Sequence, residues 1–221
     1  MRLGLVSIAI ILDRSGSMAS VKEGTIAGFN EFVESQKKLP GEATISLFQF
    51  DDVYETVYDG IDIKNTILLT EATYQPRNIT ALLDAIGKTI INLGQKLNTI
   101  PEKDRPEKVI VVIQTDGYEN ASKEFSSLEI NEMITHQREK YNWQFVFLGA
   151  NQDAIMTASH LGIAANKSMT YAHSSDGNIH AMGISTNRLV SSLRSASTAD
   201  MDGVGYSDLH KKQQEDLINQ V

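Results

Sequence analysis

Residues 7–18 read SIAIILDRSGSM. Residues 8–12 form an apolar run rich in β-branched side chains, which is typical of a parallel strand that is covered on both faces. The run ends abruptly in a polar turn that contains Asp13, Ser15 and Ser17. Open α/β sheets bind ligands at the carboxyl ends of their strands, and hard oxygen ligands suit Mg²⁺, Mn²⁺ or Ca²⁺. The turn is therefore a candidate cation site, although Asp and Ser serve equally well as caps of a following helix.

Strand-like and helix-like patterns alternate along the rest of the chain. Further strands are predicted at residues 43–50, 53–58, 109–113, 143–148 and 168–171. Helices are predicted at residues 21–37, 81–97, 125–141, 153–161 and 179–193. Asp51 and Asp52 indicate a tight hairpin, so one strand should run antiparallel to the others. The pattern predicts an α/β fold, a Rossmann-like, doubly wound and mostly parallel central sheet with one antiparallel edge strand and helices on both faces.

The chain divides into a domain over residues 1–195 and a C-terminal tail over residues 196–221. The tail is rich in Gly, Ser, Asp and Lys, and a weak helix is predicted around residues 208–218. Its five carboxylates could cap a cation site of the same or a neighbouring subunit, which would allow self-association. They are Asp200, Asp202, Asp208, Glu215 and Asp216. The simpler interpretation is a solvated terminus without a function.

Composition excludes several classes of function. The chain of 221 residues has no cysteine, which rules out disulfides, zinc ribbons and a thiol nucleophile. A formal net charge of -8 argues against a nucleic-acid partner, since such binding needs a basic face. No apolar run is long enough to span a membrane, and the first apolar stretch fits the central strand better than a signal peptide. We therefore expect a cytoplasmic protein without a membrane partner.

Two further places offer oxygen ligands. Thr80 opens a predicted helix, and Asp116 follows the apolar run at residues 109–113, between Thr115 and Gly117. Taken singly, Thr80 could be a helix cap and Asp116 a turn residue. The 5 histidines show no ligand spacing and are interpreted as solvated or structural. They are His136, His160, His173, His180 and His210.

Together these residues resemble the metal-ion-dependent adhesion site of the von Willebrand factor A (vWA) domain. The matching positions are Asp13, Ser15, Ser17, Thr80 and Asp116, and the order of elements matches from about residue 3 to residue 193. The resemblance implies that Ser15, Ser17 and Thr80 hold the cation through their hydroxyls. It implies that Asp13 and Asp116 act directly or through water. Mg²⁺ is the expected cation, with Mn²⁺ or Ca²⁺ as alternatives.

The resemblance implies a non-enzymatic module that binds a protein partner offering Asp or Glu to the metal. We expect no catalytic residues, because no positioned base accompanies a nucleophile. The alternative is a Mg²⁺-dependent phosphotransferase or phosphatase that uses Asp13 as its nucleophile. Phosphatases of that type place a second Asp two residues further on, where this chain has Ser15.

Overall fold

The first strand is buried on both of its faces over most of its length. The computed structural model describes residues 1–150 and 153–220, and β1 spans Arg2–Asp13. Ile8 and Ile10 lie in one hydrophobic cluster, whereas Ala9 and Ile11 lie in a second cluster on the opposite face. Alternate side chains of a strand point to opposite faces, so an unbroken apolar run fits a strand between two layers of helices.

Six strands form one sheet in the order β3-β2-β1-β4-β5-β6. The other five strands are β2 (Glu42–Phe50), β3 (Tyr54–Asp62), β4 (Pro106–Thr115), β5 (Gln144–Ala150) and β6 (Ser168–Tyr171). All neighbouring pairs are parallel except β2 and β3, which are antiparallel. This confirms the predicted α/β class with one antiparallel edge strand. The chain moves outward from β1 to β3 and then returns to β4 on the other side of β1, so the strand order reverses between β1 and β4.

Helices cover both faces of the sheet. They are α1 (Lys22–Lys37), α2 (Leu82–Thr99), α3 (Ser127–Tyr141), α4 (Ala154–His160), α5 (Ser175–Asn178), α6 (Asn187–Ser195) and α7 (Asp208–Ile218). One core cluster contains side chains of α1 and α6, and the other contains side chains of α2, α3 and α4. Among the described residues no helix is both long and apolar enough to cross a membrane.

Two of the differences from the predicted bounds concern β3 and the helix predicted at residues 179–193. The second hairpin strand, predicted to end at residue 58, continues as β3 to Asp62 with irregular pairing, and Gly60 adopts a positive φ of 65° within it. The helix predicted at residues 179–193 begins earlier, at Ser175, because Ser174 caps it by accepting a hydrogen bond from Gly177 N. A π-helix, Ile179–Thr186, then connects α5 to α6.

The segment after Ser195 packs against the rest of the molecule. Met201 is fully buried, and Tyr206 is only 6% exposed; both belong to the core cluster that contains α1. The hydroxyl of Tyr206 lies 2.7 Å from Thr186 Oγ1. Asp202 lies 3.5 Å from the amide of Gln144, at the amino end of β5 and hence at the edge of the sheet opposite to the carboxyl ends of the parallel strands.

Candidate metal centre

The candidate site lies where the strand order reverses. Asp13 is the last residue of β1, and Asp116 directly follows the last residue of β4. These two strands are parallel neighbours, so their carboxyl ends meet at one edge of the sheet. A crevice outside the carboxyl ends at such a reversal is the usual ligand site of an open α/β sheet.

The carboxylate of Asp13 is buried and has fixed partners. Its Oδ1 accepts a hydrogen bond of 2.6 Å from Ser15 N, and its Oδ2 accepts one of 2.5 Å from Thr115 Oγ1. Burial raises the pKa of Asp13 to about 6, and the nearby charge of Asp116 acts in the same direction. The hydrogen bonds lower this pKa but do not outweigh the loss of water around the carboxylate.

Three hydroxyls converge on the space beside Gly117. A methyl group placed on Gly117 would lie 3.1 Å from Thr80 Oγ1 and 3.6 Å from Ser17 Oγ. The same point is 3.9 Å from Ser15 Oγ. Ser15 and Thr80 are buried, whereas Ser17 is exposed, so the cluster opens to solvent on the side of Ser17.

Asp116 links the hydroxyl cluster to a histidine. Its Oδ1 accepts a hydrogen bond of 2.6 Å from Ser17 Oγ, and its Oδ2 lies 2.7 Å from Nε2 of His173. Because an ionised carboxylate only accepts hydrogen bonds, the imidazole donates its Nε2 proton in this contact. His173, interpreted from the sequence as solvated or structural, thus contacts a residue of the predicted ligand set.

The loops that carry the site are bonded to one another. Gly16 N donates to the carbonyl of Asn78 at 3.0 Å, which joins the loop after β1 to the segment before α2. Thr80 N donates to Asn120 Oδ1 at 2.9 Å, and Asn120 N donates to the carbonyl of Thr80 at 3.1 Å. These bonds join the segment before α2 to the loop after β4, so hydrogen bonds connect all three loops.

Two buried tyrosines support the ends of the strands. Tyr74 donates its hydroxyl to the carbonyl of Asp13 at 2.6 Å, and Tyr171 donates to the carbonyl of Thr115 at 3.3 Å. Burial raises the pKa of both phenols well above the ordinary value. Both hydroxyls therefore stay protonated and remain donors to the backbone below the site.

The structure brings all five residues of the predicted set to one place. Their donors are three hydroxyls and two carboxylates, an oxygen-only set that fits Mg²⁺, Mn²⁺ or Ca²⁺ and lacks the sulfur or imidazole ligands preferred by zinc. The three hydroxyls surround one shared space, as a common ligand would require. Within residues 1–150 and 153–220 there is no group of three or more His, Cys, Asp and Glu side chains arranged to hold a metal.

Neither the protein-family models nor the curated proteins give a match to this sequence. Among solved structures, the ArnB paralog VWA2 from Sulfolobus acidocaldarius is similar with a TM-score of 0.51 and 20% identity. The match covers 81% of this chain and 44% of VWA2, so the chain spans less than half the length of that relative.

Two further solved structures are similar over most of the chain. Manganese-loaded TRAP protein from Plasmodium vivax matches with a TM-score of 0.53 and 16% identity, over 81% of this chain and 72% of TRAP. The vWF domain of the type V pili tip protein Mfa5 from Porphyromonas gingivalis matches with a TM-score of 0.59 and 11% identity. That match covers 87% of this chain and 97% of the Mfa5 domain. Together with the strand order, these likenesses show that the chain has the fold of the von Willebrand factor A domain.

Proposed function

We propose that the protein is a non-enzymatic binding domain that recognises a carboxylate of a partner protein through a divalent cation. The cation would be held by Ser15, Ser17 and Thr80, with Asp13 and Asp116 as direct or water-mediated ligands. The observation that carries the proposal is the convergence of the three hydroxyls on the space beside Gly117. The manganese named for the P. vivax TRAP structure supports a divalent cation in this fold.

The composition of the site supports recognition of an anionic group. Hydroxyls are neutral ligands and do not reduce the charge of a dication. If one of the two carboxylates reaches the cation only through water, part of the positive charge stays uncompensated. A coordination position that faces solvent then favours a hard, anionic oxygen, which Asp and Glu side chains supply. The exposed side of the cluster, at Ser17, is where such a group can approach.

Two features argue against the phosphotransferase alternative. Asp13 has no exposed surface, and both of its oxygens already accept hydrogen bonds. A nucleophilic carboxylate needs an oxygen that can contact the substrate, and Asp13 offers no exposed oxygen for that contact. The second aspartate of such phosphatases is absent, because Ser15 occupies its place.

The Ser17–Asp116–His173 group also has the wrong order for a hydrolase. In a serine hydrolase the imidazole lies between the serine and the carboxylate and takes the proton of the hydroxyl. Here Asp116 lies in the middle, with Ser17 on one oxygen and His173 on the other. Since Ser17 contacts the carboxylate and not the imidazole, the arrangement does not reproduce the triad of a serine hydrolase, and it supports binding.

The proposal is tested by capture of partners from native lysate on the immobilised protein, with Mg²⁺ or with EDTA. Gly117→Ala fills the space between the hydroxyls without changing any ligand, and Gly94→Ala is the matched control because a methyl group there contacts nothing within 4 Å. A partner should be retained with Mg²⁺ by the wild type and by Gly94→Ala, and lost with EDTA or in Gly117→Ala. Its retention should also be lost when one surface Asp or Glu of that partner is replaced by Asn or Gln.

Two results would contradict the proposal. One is a set of captured proteins that is the same with Mg²⁺ and with EDTA. The other is Mg²⁺-dependent hydrolysis of p-nitrophenyl phosphate that disappears in Asp13→Asn, which would favour the phosphotransferase.

A further inference from the structure

The two oxygens of Asp116 have different partners, which fixes the orientation of this side chain. Oδ1 accepts from Ser17 Oγ at 2.6 Å, and Oδ2 lies 2.7 Å from His173 Nε2. The side chain of Asp116 has no exposed surface, and that of His173 is 22% exposed. The imidazole therefore holds one oxygen away from the hydroxyl cluster and leaves the other oxygen facing it.

His173 is itself positioned by the C-terminal helix. It lies two residues beyond β6, in the short segment 172–177. Gln214 of α7 forms a hydrogen bond with each end of this segment. Ala172 N donates to Gln214 Oε1 at 3.1 Å, and Gln214 Nε2 donates to the carbonyl of Gly177 at 3.2 Å. Gln214 is 1% exposed, so these bonds are shielded from water.

The segment and the helix have little freedom to move apart. A methyl group on Gly177 would overlap the carbonyl of Ala172, so the backbone between these residues is tightly closed. Helix α7 starts at a cap in which Ser207 Oγ accepts from His210 N at 3.3 Å. Just before this cap, Tyr206 is buried in the core.

We infer that His173 and Gln214 are positioning residues of the cation site. His173 fixes the carboxylate of Asp116, and Gln214 fixes the segment that carries His173. The C-terminal segment would then set the affinity of the site for its cation. This inference rests on the proposed function, because it assumes that Asp116 serves a bound cation. Loss of a residue that hydrogen-bonds to a metal ligand commonly weakens the affinity of the site for the metal by 10–100-fold.

The test is the dissociation constant of Mn²⁺, measured by calorimetry on the full chain. His173→Leu should weaken binding by about tenfold or more. His173→Gln should restore most of the affinity, because its amide can still donate to Asp116 Oδ2. Gln214→Met removes both hydrogen bonds at similar volume and should weaken binding by a smaller factor. Gln213→Met, the same substitution one residue earlier in α7, is the control and should bind as the wild type does.

A double-mutant cycle separates this role from a general effect on stability. If Gln214 acts through His173, Gln214→Met should cause no further loss of affinity in a His173→Leu background. Thermal unfolding in EDTA shows whether each variant is folded, and the His173 variants test the inference even if Gln214→Met unfolds.

Three outcomes would overturn the inference. They are wild-type affinity for Mn²⁺ in His173→Leu, affinity in His173→Gln as weak as that in His173→Leu, and fully additive losses from His173→Leu and Gln214→Met. Failure of the wild type to bind Mn²⁺ would overturn the proposed function, and this inference with it. The two failures are therefore distinguishable.

Discussion

The burial of Asp13 is unfavourable for its ionised form when no cation is present. Its carboxylate is fully buried, and burial raises its pKa from 3.8 to about 6. The folded protein therefore binds this proton more tightly than the unfolded chain does. A bound dication would offset the cost, since it favours the ionised carboxylate.

This pKa predicts a pH dependence of stability in EDTA. Because the folded-state pKa is raised, the stabilisation is complete below about pH 4 and is lost as the pH rises through about 6. The difference between 3.8 and about 6 corresponds to roughly 3 kcal/mol in the free energy of unfolding. Urea denaturation should show the wild type losing about that much more stability than Asp13→Asn between pH 4 and pH 7. Parallel curves for the two proteins would contradict the assignment.

The proposed cation ligands could be chosen from the sequence because they stand at recognisable places in it. Asp13 directly follows an apolar run, Asp116 stands three residues beyond another, and Thr80 precedes a helical pattern. His173 could not be identified in the same way, because its contact with Asp116 joins the ends of β6 and β4, which are separated by β5. The one available signal was its position two residues beyond a predicted strand, at the same edge of the sheet.

Among the elements, α1 is placed by close contact between backbones. A methyl group on Gly24 would overlap the backbone of Ser175, and one on Gly28 would lie 2.8 Å from the carbonyl oxygen of Asn178. These glycines let α1 lie directly against α5 and the start of the π-helix. Asn178 is fully buried there and accepts hydrogen bonds from Thr25 and Gln114.

The contact predicts opposite effects of the same substitution at two helical glycines. Gly24→Ala should destabilise the protein by about 1–3 kcal/mol, because the added methyl group has no space. Gly94→Ala should stabilise it by about 0.5–1 kcal/mol, because alanine favours a helix and contacts nothing there. Urea denaturation at neutral pH measures both. Equal effects of the two substitutions would show that α1 and α5 are not in backbone contact.

The extents of the elements were less predictable than their existence. Apolar runs define the strands because both faces of the sheet are covered. However, β3 is an edge strand without a fully buried residue, and Ile61 is the one apolar side chain among its last four residues. The start of α5 is a polar cap at Ser174, which resembles an ordinary turn in the sequence. The π-helix packs against α1, and no local pattern in the sequence distinguishes it from an α-helix.

The proposed cation site lies at the reversal of strand order between β1 and β4 in this vWA fold. The alternation of strands and helices predicted this sheet, because every apolar run had to be buried between two layers. The packing of the C-terminal segment was not predicted, since its composition is typical of a solvated tail. Instead, Gln214 contacts the segment that carries His173. This contact gives the tail a proposed role that needs none of its carboxylates at the metal.

The most direct test of the cation site is a crystal structure with Mn²⁺, analysed by anomalous diffraction. An anomalous peak is expected within about 2.0–2.6 Å of Ser15 Oγ and Ser17 Oγ, which is the range of distances from such ions to oxygen ligands. Thr80, Asp13 and Asp116 should contact the ion directly or through one water. A map without a peak at saturating Mn²⁺, or with a peak that contacts neither serine, would contradict the account.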